Sequence, residues 1–157
     1  MLKNKYGVKI TPIDKKYASS YAFELSQNMR KEDKDECKAM GKQPRNITLQ
    51  SIMDSQEVYA ARHKNALLCI FGMAGNVIWC LGTETIKKHS KALILIGYSF
   101  IKDSLKTYSI VRNCISKKNI PAIRYIEGYK EADLYEGDVI INGEPFLYFE
   151  LRRKDHV

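Results

Sequence analysis

The chain has 157 residues, 45% of them apolar and 28% charged, with 9 Gly, 4 Pro and 4 Cys. Those proportions exclude a collagen-like, a low-complexity or a disulfide-scaffold protein, and ten Tyr with five Phe give enough apolar surface to exclude wholesale disorder. The formal net charge of +8 is compatible with an anionic partner such as nucleic acid, an acidic protein or a phosphorylated ligand, but the basic residues are scattered among acids, as in the stretch 30–38, and read first as a lysine-rich, solvated surface.

The pattern predicts a single domain of alternating strands and helices. Residues 8–13 read as a strand interrupted at Pro12, and Asp14 caps a helix over 15–27. A second helix covers 31–40, with Glu32 and Asp33 in its first turn and Gly41 as its stop. Residues 42–45 form a loop, and Thr48 caps a short helix ending near Asp54. Three strands follow, over 57–62, 66–73 and 77–81, joined by turns at Lys64-Asn65 and Ala74-Gly75-Asn76. The middle one is a nearly unbroken apolar run, as expected of a strand covered on both faces.

After a loop over 82–87, a long helix spans 90–106 with Leu93, Ile96, Phe100 and Ile101 as its buried stripe. A strand covers 108–115. Asn119 caps a helix that reaches about residue 129, with Pro121 in its first turn. Asn142-Gly143 then marks a hairpin between strands over 133–140 and 145–152. The strand–helix–strand unit over 77–115 implies one parallel pair in an otherwise antiparallel sheet. The fold class is therefore α/β (α+β), with a mixed, mostly antiparallel sheet of six or seven strands flanked by about four helices.

Cys37, Cys69, Cys80 and Cys114 have neither C-x-x-C spacing nor a zinc-type His partner, and read as free thiols in a reducing compartment. The first residues hold no apolar core of a signal peptide, and the apolar stretch 66–74 is too short to span a bilayer. A soluble intracellular protein is expected, with no metal site.

The order of elements resembles the GNAT N-acetyltransferase fold. Shorter motifs narrow the likeness: Met29-Arg30 and Asp33 followed by Gly41-x-x-Pro44; Ala66 to Met73; Ile78-Trp-Cys-Leu-Gly-Thr83; and Arg112-Asn113 followed by Asn119-x-x-x-Ile123-Arg124-Tyr125. In this order they resemble the internal virion protein A family of short-tailed, podovirus-type bacteriophages, a GNAT-like family, from about residue 18 to 151. The resemblance implies a phage protein acting in virion morphogenesis, with other virion proteins as partners, in the host cytoplasm during assembly or in the virion.

The GNAT resemblance also implies an acetyl-CoA site. Its pyrophosphate would sit at the start of the long helix, where Lys87-Lys88-His89-Ser90-Lys91-Ala92 stands in place of the usual glycine-rich pattern. Ser90 occupies a position where glycine is expected, and the cations of Lys87, Lys88 and Lys91 oppose the macrodipole unless an anion binds. Asn119-x-x-Ala122 resembles the start of the second cofactor motif, but Ile126 stands where a tyrosine is usual, with Tyr125 beside it.

Acyl transfer needs a base for the amine and an acid for the thiolate. Glu84 and Glu57 are the candidate bases and Tyr125 the candidate acid, while the strand over 77–81 would supply a backbone donor to the thioester oxygen. His63 and His89 read as surface histidines and Trp79 as core; Cys80 is a weak nucleophile candidate. The altered phosphate loop and the missing tyrosine predict an assembly protein with degraded catalysis. The alternative is an active acetyl-CoA-dependent N-acyltransferase acting on a protein or small-molecule amine. Nucleic-acid binding is a third, weaker expectation, since no recognised motif accompanies the charge.

Overall fold

The computed structural model describes residues 6–154. Its sheet has eight strands: β1 (Val8–Pro12), β2 (Glu57–His63), β3 (Ala66–Ala74), β4 (Val77–Gly82), β5 (Ile110–Ser116), β6 (Ala132–Leu134), β7 (Val139–Ile141) and β8 (Glu144–Arg152). The helices are α1 (Ala18–Gln27), α2 (Lys31–Ala39), α3 (Pro44–Asp54), α4 (Ser90–Thr107) and α5 (Ile120–Glu127), with short 3-10 turns at Lys15–Tyr17 and Glu84–Lys88. The sheet order is β1-β2-β3-β4-β5-β8-β6, with β7 also paired to β8. Every pairing is antiparallel except β4 with β5. The mixed α/β architecture expected from the sequence is the one found.

Helices cover both faces of the sheet. On one face, Leu25 of α1, Met29, Cys37 of α2 and Ile52 of α3 pack on Val58, Ala60 and Ile70. On the other, Ile96, Phe100 and Ile101 of α4 pack on Phe71, Val111 and Leu151. The apolar run of β3 serves both layers, which is why it lacks alternation. Among the described residues no helix is long and apolar enough to cross a membrane.

Three local outcomes differ from the sequence reading. The helix expected from Thr48 starts at Pro44, which takes an early position where its missing N–H costs nothing. Thr48 lies inside that helix, fully buried, and its hydroxyl donates back to the Pro44 carbonyl at 2.7 Å. The strand expected over 133–140 is split into β6 and β7, which pair with opposite ends of β8. Gly137, at φ +97°, breaks the extended run between them. The loop expected at 82–87 carries the 3-10 turn Glu84–Lys88. The hairpin at Asn142 (φ +50°) and Gly143 (φ +77°) has the paired positive φ angles of a type I′ turn.

Candidate active site

The sheet is nearly cut in two between β4 and β5. The two strands share one register pair, Val77 with Arg112. The Arg112 N–H donates to the Asn76 carbonyl at 2.9 Å, and the next contact is a side chain, with Asn113 Nδ2 donating to the Ile78 carbonyl at 2.6 Å. Beyond that point the strands diverge.

The alternation of β4 fixes which backbone groups face the opening. Its register with β3 runs unshifted from Val77 to Gly82. Asn76 and Ile78 turn their carbonyls toward β5, and Gly82 turns its N–H the same way, to Asp33 Oδ2 at 2.8 Å. Period two therefore places the Cys80 N–H in the opening between them. A cavity of about 710 Å³ passes through it, reached by α2 and α3 on one face and by α4 and α5 on the other.

On the α2 face the opening is bounded by acids. Asp33 is 5% exposed and accepts from Arg30 Nε at 2.6 Å as well as from Gly82. Burial lifts the Asp33 pKa above the ordinary carboxyl value despite these donors. Burial likewise opposes the charge of Arg30, but Asp33 beside it holds the guanidinium pKa above normal. Two donors converge on one carboxylate oxygen, so the pair is ionised. Glu36, one turn on, accepts from Asn119 Nδ2 at 2.8 Å and from the Ser116 N–H at 3.3 Å. Burial pushes its pKa up, ahead of the lowering by Asn119. A carboxylate so placed, with its pKa shifted upward, is the group at this opening suited to take a proton. A second cavity of about 500 Å³ between α2, the end of β5 and the β7–β8 turn also reaches Glu36 and Asn119.

On the α4 face the walls are apolar, among them Leu93, Ala122 and Ile126, with Lys87, Ser90 and Arg124 also on the cavity lining. No side chain caps the start of α4, where His89 is the N-cap residue and Ser90 the first helical one. Ala92 is buried in the core. Lys87 is spoken for, with its ammonium 2.8 Å from Glu84 and 3.2 Å from Glu32. Lys88 and Lys91 are exposed and form no ion pair among the described residues.

The candidate residues read from the sequence fall in different places. Asn119 does cap α5, accepting from the Ala122 N–H at 3.3 Å, and also reaches Glu36. Glu84 caps α2 from a distance: its Oε1 accepts the Lys31 N–H at 2.8 Å, and Lys87 draws its pKa below the ordinary range. Glu57 is exposed at the start of β2, two strands from the opening, and accepts from the Tyr59 hydroxyl at 2.9 Å. Tyr125 is committed to packing. Its hydroxyl donates to the Leu93 carbonyl at 3.1 Å and accepts from Tyr129 at 2.6 Å, and burial holds its pKa well above normal. The two hydroxyls fill the space beside Gly97, where a Cβ would stand 1.9 Å and 2.3 Å from them.

The rings of His63 and His89 lie against each other with centroids 4.5 Å apart and a 39° tilt, and burial, then His63, lowers the His89 pKa. The indole of Trp79 donates to Ser55 Oγ at 2.8 Å. All four cysteines are free. The neighbouring Cys80 and burial raise the Cys69 pKa.

Glu36, Asp33, Arg30 and Asn113 were not among the candidates read from the sequence. The signal for Asp33 and Glu36 was a helical stripe, Asp33-Glu36-Cys37-Met40, inside a run that otherwise looks like a solvated charged face.

This architecture is the GNAT acetyltransferase fold. The chain is similar to an N-acetyltransferase from Staphylococcus aureus (TM-score 0.56, 14% identity, 92% of this chain and 95% of that one). It is similar also to a probable acetyltransferase of the GNAT family from Chromobacterium violaceum (TM-score 0.57, 11% identity, 92% and 86%). The apo form of YjaB from Escherichia coli matches at TM-score 0.52 and 10% identity, over 92% and 96%. No protein-family model matches the sequence, and no curated protein does.

Proposed function

We propose that the protein is an N-acyltransferase that takes its acyl group from acyl-CoA and passes it to an amine. One observation carries this reading: the Cys80 N–H faces a cavity that runs through the sheet between β4 and β5, with an uncapped, lysine-flanked helix start on one side and the half-buried Glu36 on the other. The residues fit such a donor. A diphosphate suits the start of α4 with Lys88 and Lys91, and an apolar arm suits the walls of Leu93, Ala122 and Ile126.

Acyl-CoA supplies a thioester when bound. The Cys80 N–H would donate to its carbonyl oxygen as charge develops there. The amine would enter by the second cavity and meet Glu36 at the wall the two cavities share. The C–N bond forms as the C–S bond breaks, the amine proton passes to Glu36, and the thiolate leaves. Glu36, rather than Glu84 or Glu57, is the base in this scheme, and no proton step is assigned to Tyr125, whose hydroxyl serves α4.

The test is calorimetry with acetyl-CoA, followed by thiol release in the presence of an amine panel. Binding is expected, weakened in Lys88→Glu/Lys91→Glu. Thiol release is expected to be lost in Glu36→Gln and kept in Glu84→Gln. A folded protein that binds neither CoA nor acetyl-CoA overturns the reading. The motif resemblance to internal virion proteins is what supports a place in phage assembly. Lost catalysis has the departures at Ser90 and Ile126 behind it, and the open cavity with its half-buried base argues the other way.

A further inference from the structure

The acyl-transfer reading leaves part of the cavity unexplained. Beyond Cys80, on the face of α2 and α3, the lining continues with Trp79 and Leu81 from β4, Cys37 from α2, Met40 just after it, and Ile47 from α3. These side chains are apolar, while Ser51 and Asp54 of α3 also line the cavity. The one polar atom of the Trp79 side chain is turned away to Ser55 at 2.8 Å, so the indole offers carbon to the cavity. Cys37 is 1% exposed, and burial pushes its thiol up to about 12, so it lines the wall as a neutral group. An acetyl group whose carbonyl oxygen meets the Cys80 N–H ends at the opening and reaches none of these side chains in depth.

We propose that the donor carries an acyl chain longer than acetyl, threaded through the β4–β5 opening into this apolar extension. The inference rests on the acyl-transfer reading above. The amine has a different route. The second cavity meets the first at Glu36 and Asn119 and is lined by charged groups such as Lys31, Asp35 and Lys118, which suit a polar acceptor. The extension continues directly from the thioester position and is walled by residues that flank Cys80 in sequence, so its occupant is the group attached to that thioester.

The experiment is a calorimetric series of CoA, acetyl-, butyryl-, hexanoyl- and octanoyl-CoA with the full chain. Each methylene that leaves water tightens binding about fourfold. A rise of at least about tenfold from acetyl to hexanoyl is therefore expected, levelling where the extension is full. Ile47→Trp or Met40→Trp, each checked for folding by thermal unfolding, is expected to bring octanoyl-CoA down toward the affinity of acetyl-CoA. Tight binding of CoA and acetyl-CoA with no gain on lengthening the chain overturns this inference and leaves the acyl-transfer reading standing. Failure of the whole series to bind overturns both. A gain with chain length that neither tryptophan variant reduces places the chain elsewhere and also overturns the inference.

Discussion

Replacing Asp33 by alanine removes the side-chain clamp between α2 and the end of β4, leaving the Arg30 N–H bond to the Gly82 carbonyl. The carboxylate is 5% exposed, and it satisfies both the Arg30 guanidinium and the Gly82 N–H. Its loss leaves a cation whose side chain is 19% exposed with no counter-charge and a backbone N–H with no acceptor. Removal of one member of a buried pair costs about 3–5 kcal/mol. The residual exposure of Arg30 lets water reach the guanidinium, which places this case at the lower end, about 3 kcal/mol. For a domain of this size each kcal/mol is about 2–4 °C, so the midpoint is expected to fall by roughly 6–12 °C.

Asp33→Asn keeps an acceptor for Gly82 and is expected to lose less. Arg30→Met/Asp33→Leu, which removes both charges, is expected to recover much of the loss. Denaturant and thermal unfolding of the four proteins close the comparison. A loss below about 1 kcal/mol in Asp33→Ala would mean that the pair behaves as a solvated surface bridge, and the clamp on β4 would be refuted.

Glu36 links pH to stability. Its folded pKa is raised above the ordinary 4.5, chiefly by burial, so the protonated form is the one the fold prefers. That preference is fully present below the ordinary value and is lost as pH rises through the raised one. Glu36→Gln is therefore expected to be more stable than the native protein at neutral pH, with the gap closing as pH falls toward 4.5; urea titrations across this range that show a constant gap would contradict it. Gly97→Ala places a methyl where the hydroxyls of Tyr125 and Tyr129 lie, and is expected to cost about 1–3 kcal/mol by overpacking. In a Tyr125→Phe/Tyr129→Phe background the same change is expected to cost little, and an equal loss in both backgrounds in thermal unfolding would refute the steric account.

Much of the fold was legible because its signals are local. The apolar run of β3, the Asn142-Gly143 turn and the buried stripe of α4 each name their element without tertiary context. Where competing signals met, the weaker-looking one won. Pro44 began α3 although Thr48 was the better cap by residue type, because proline at an early helical position loses no hydrogen bond. Gly137 divided a segment whose residues otherwise suit a strand, because β8 offers two separate stretches for pairing.

The site was less legible for a different reason. Glu36 and Asp33 sit in a run of mixed charge, and only the approach of β4 and β5 turns one side of that helix inward. Glu84 drew attention by its place after β4, yet the demand it meets there is an unpaired N–H at the start of α2. The Cys80 N–H carries no sequence signal at all, since it depends on the register of β4 with β3 and on the divergence of β5.

The seam between β4 and β5 also governs how the molecule deforms. One backbone rung and a few side-chain hydrogen bonds, from Asn76, Arg112 and Asn113, join two leaves of sheet that are paired over longer registers within themselves. Such a plate is stiff within each leaf and compliant in torsion about the Val77–Arg112 join. Thermal motion therefore reaches its largest amplitude along one soft coordinate, a twisting of the leaves against each other, which few hydrogen bonds resist. A guest wedged in the slot removes that compliance, so its arrival would register as a loss of breathing motion across the whole sheet, far from the atoms it touches.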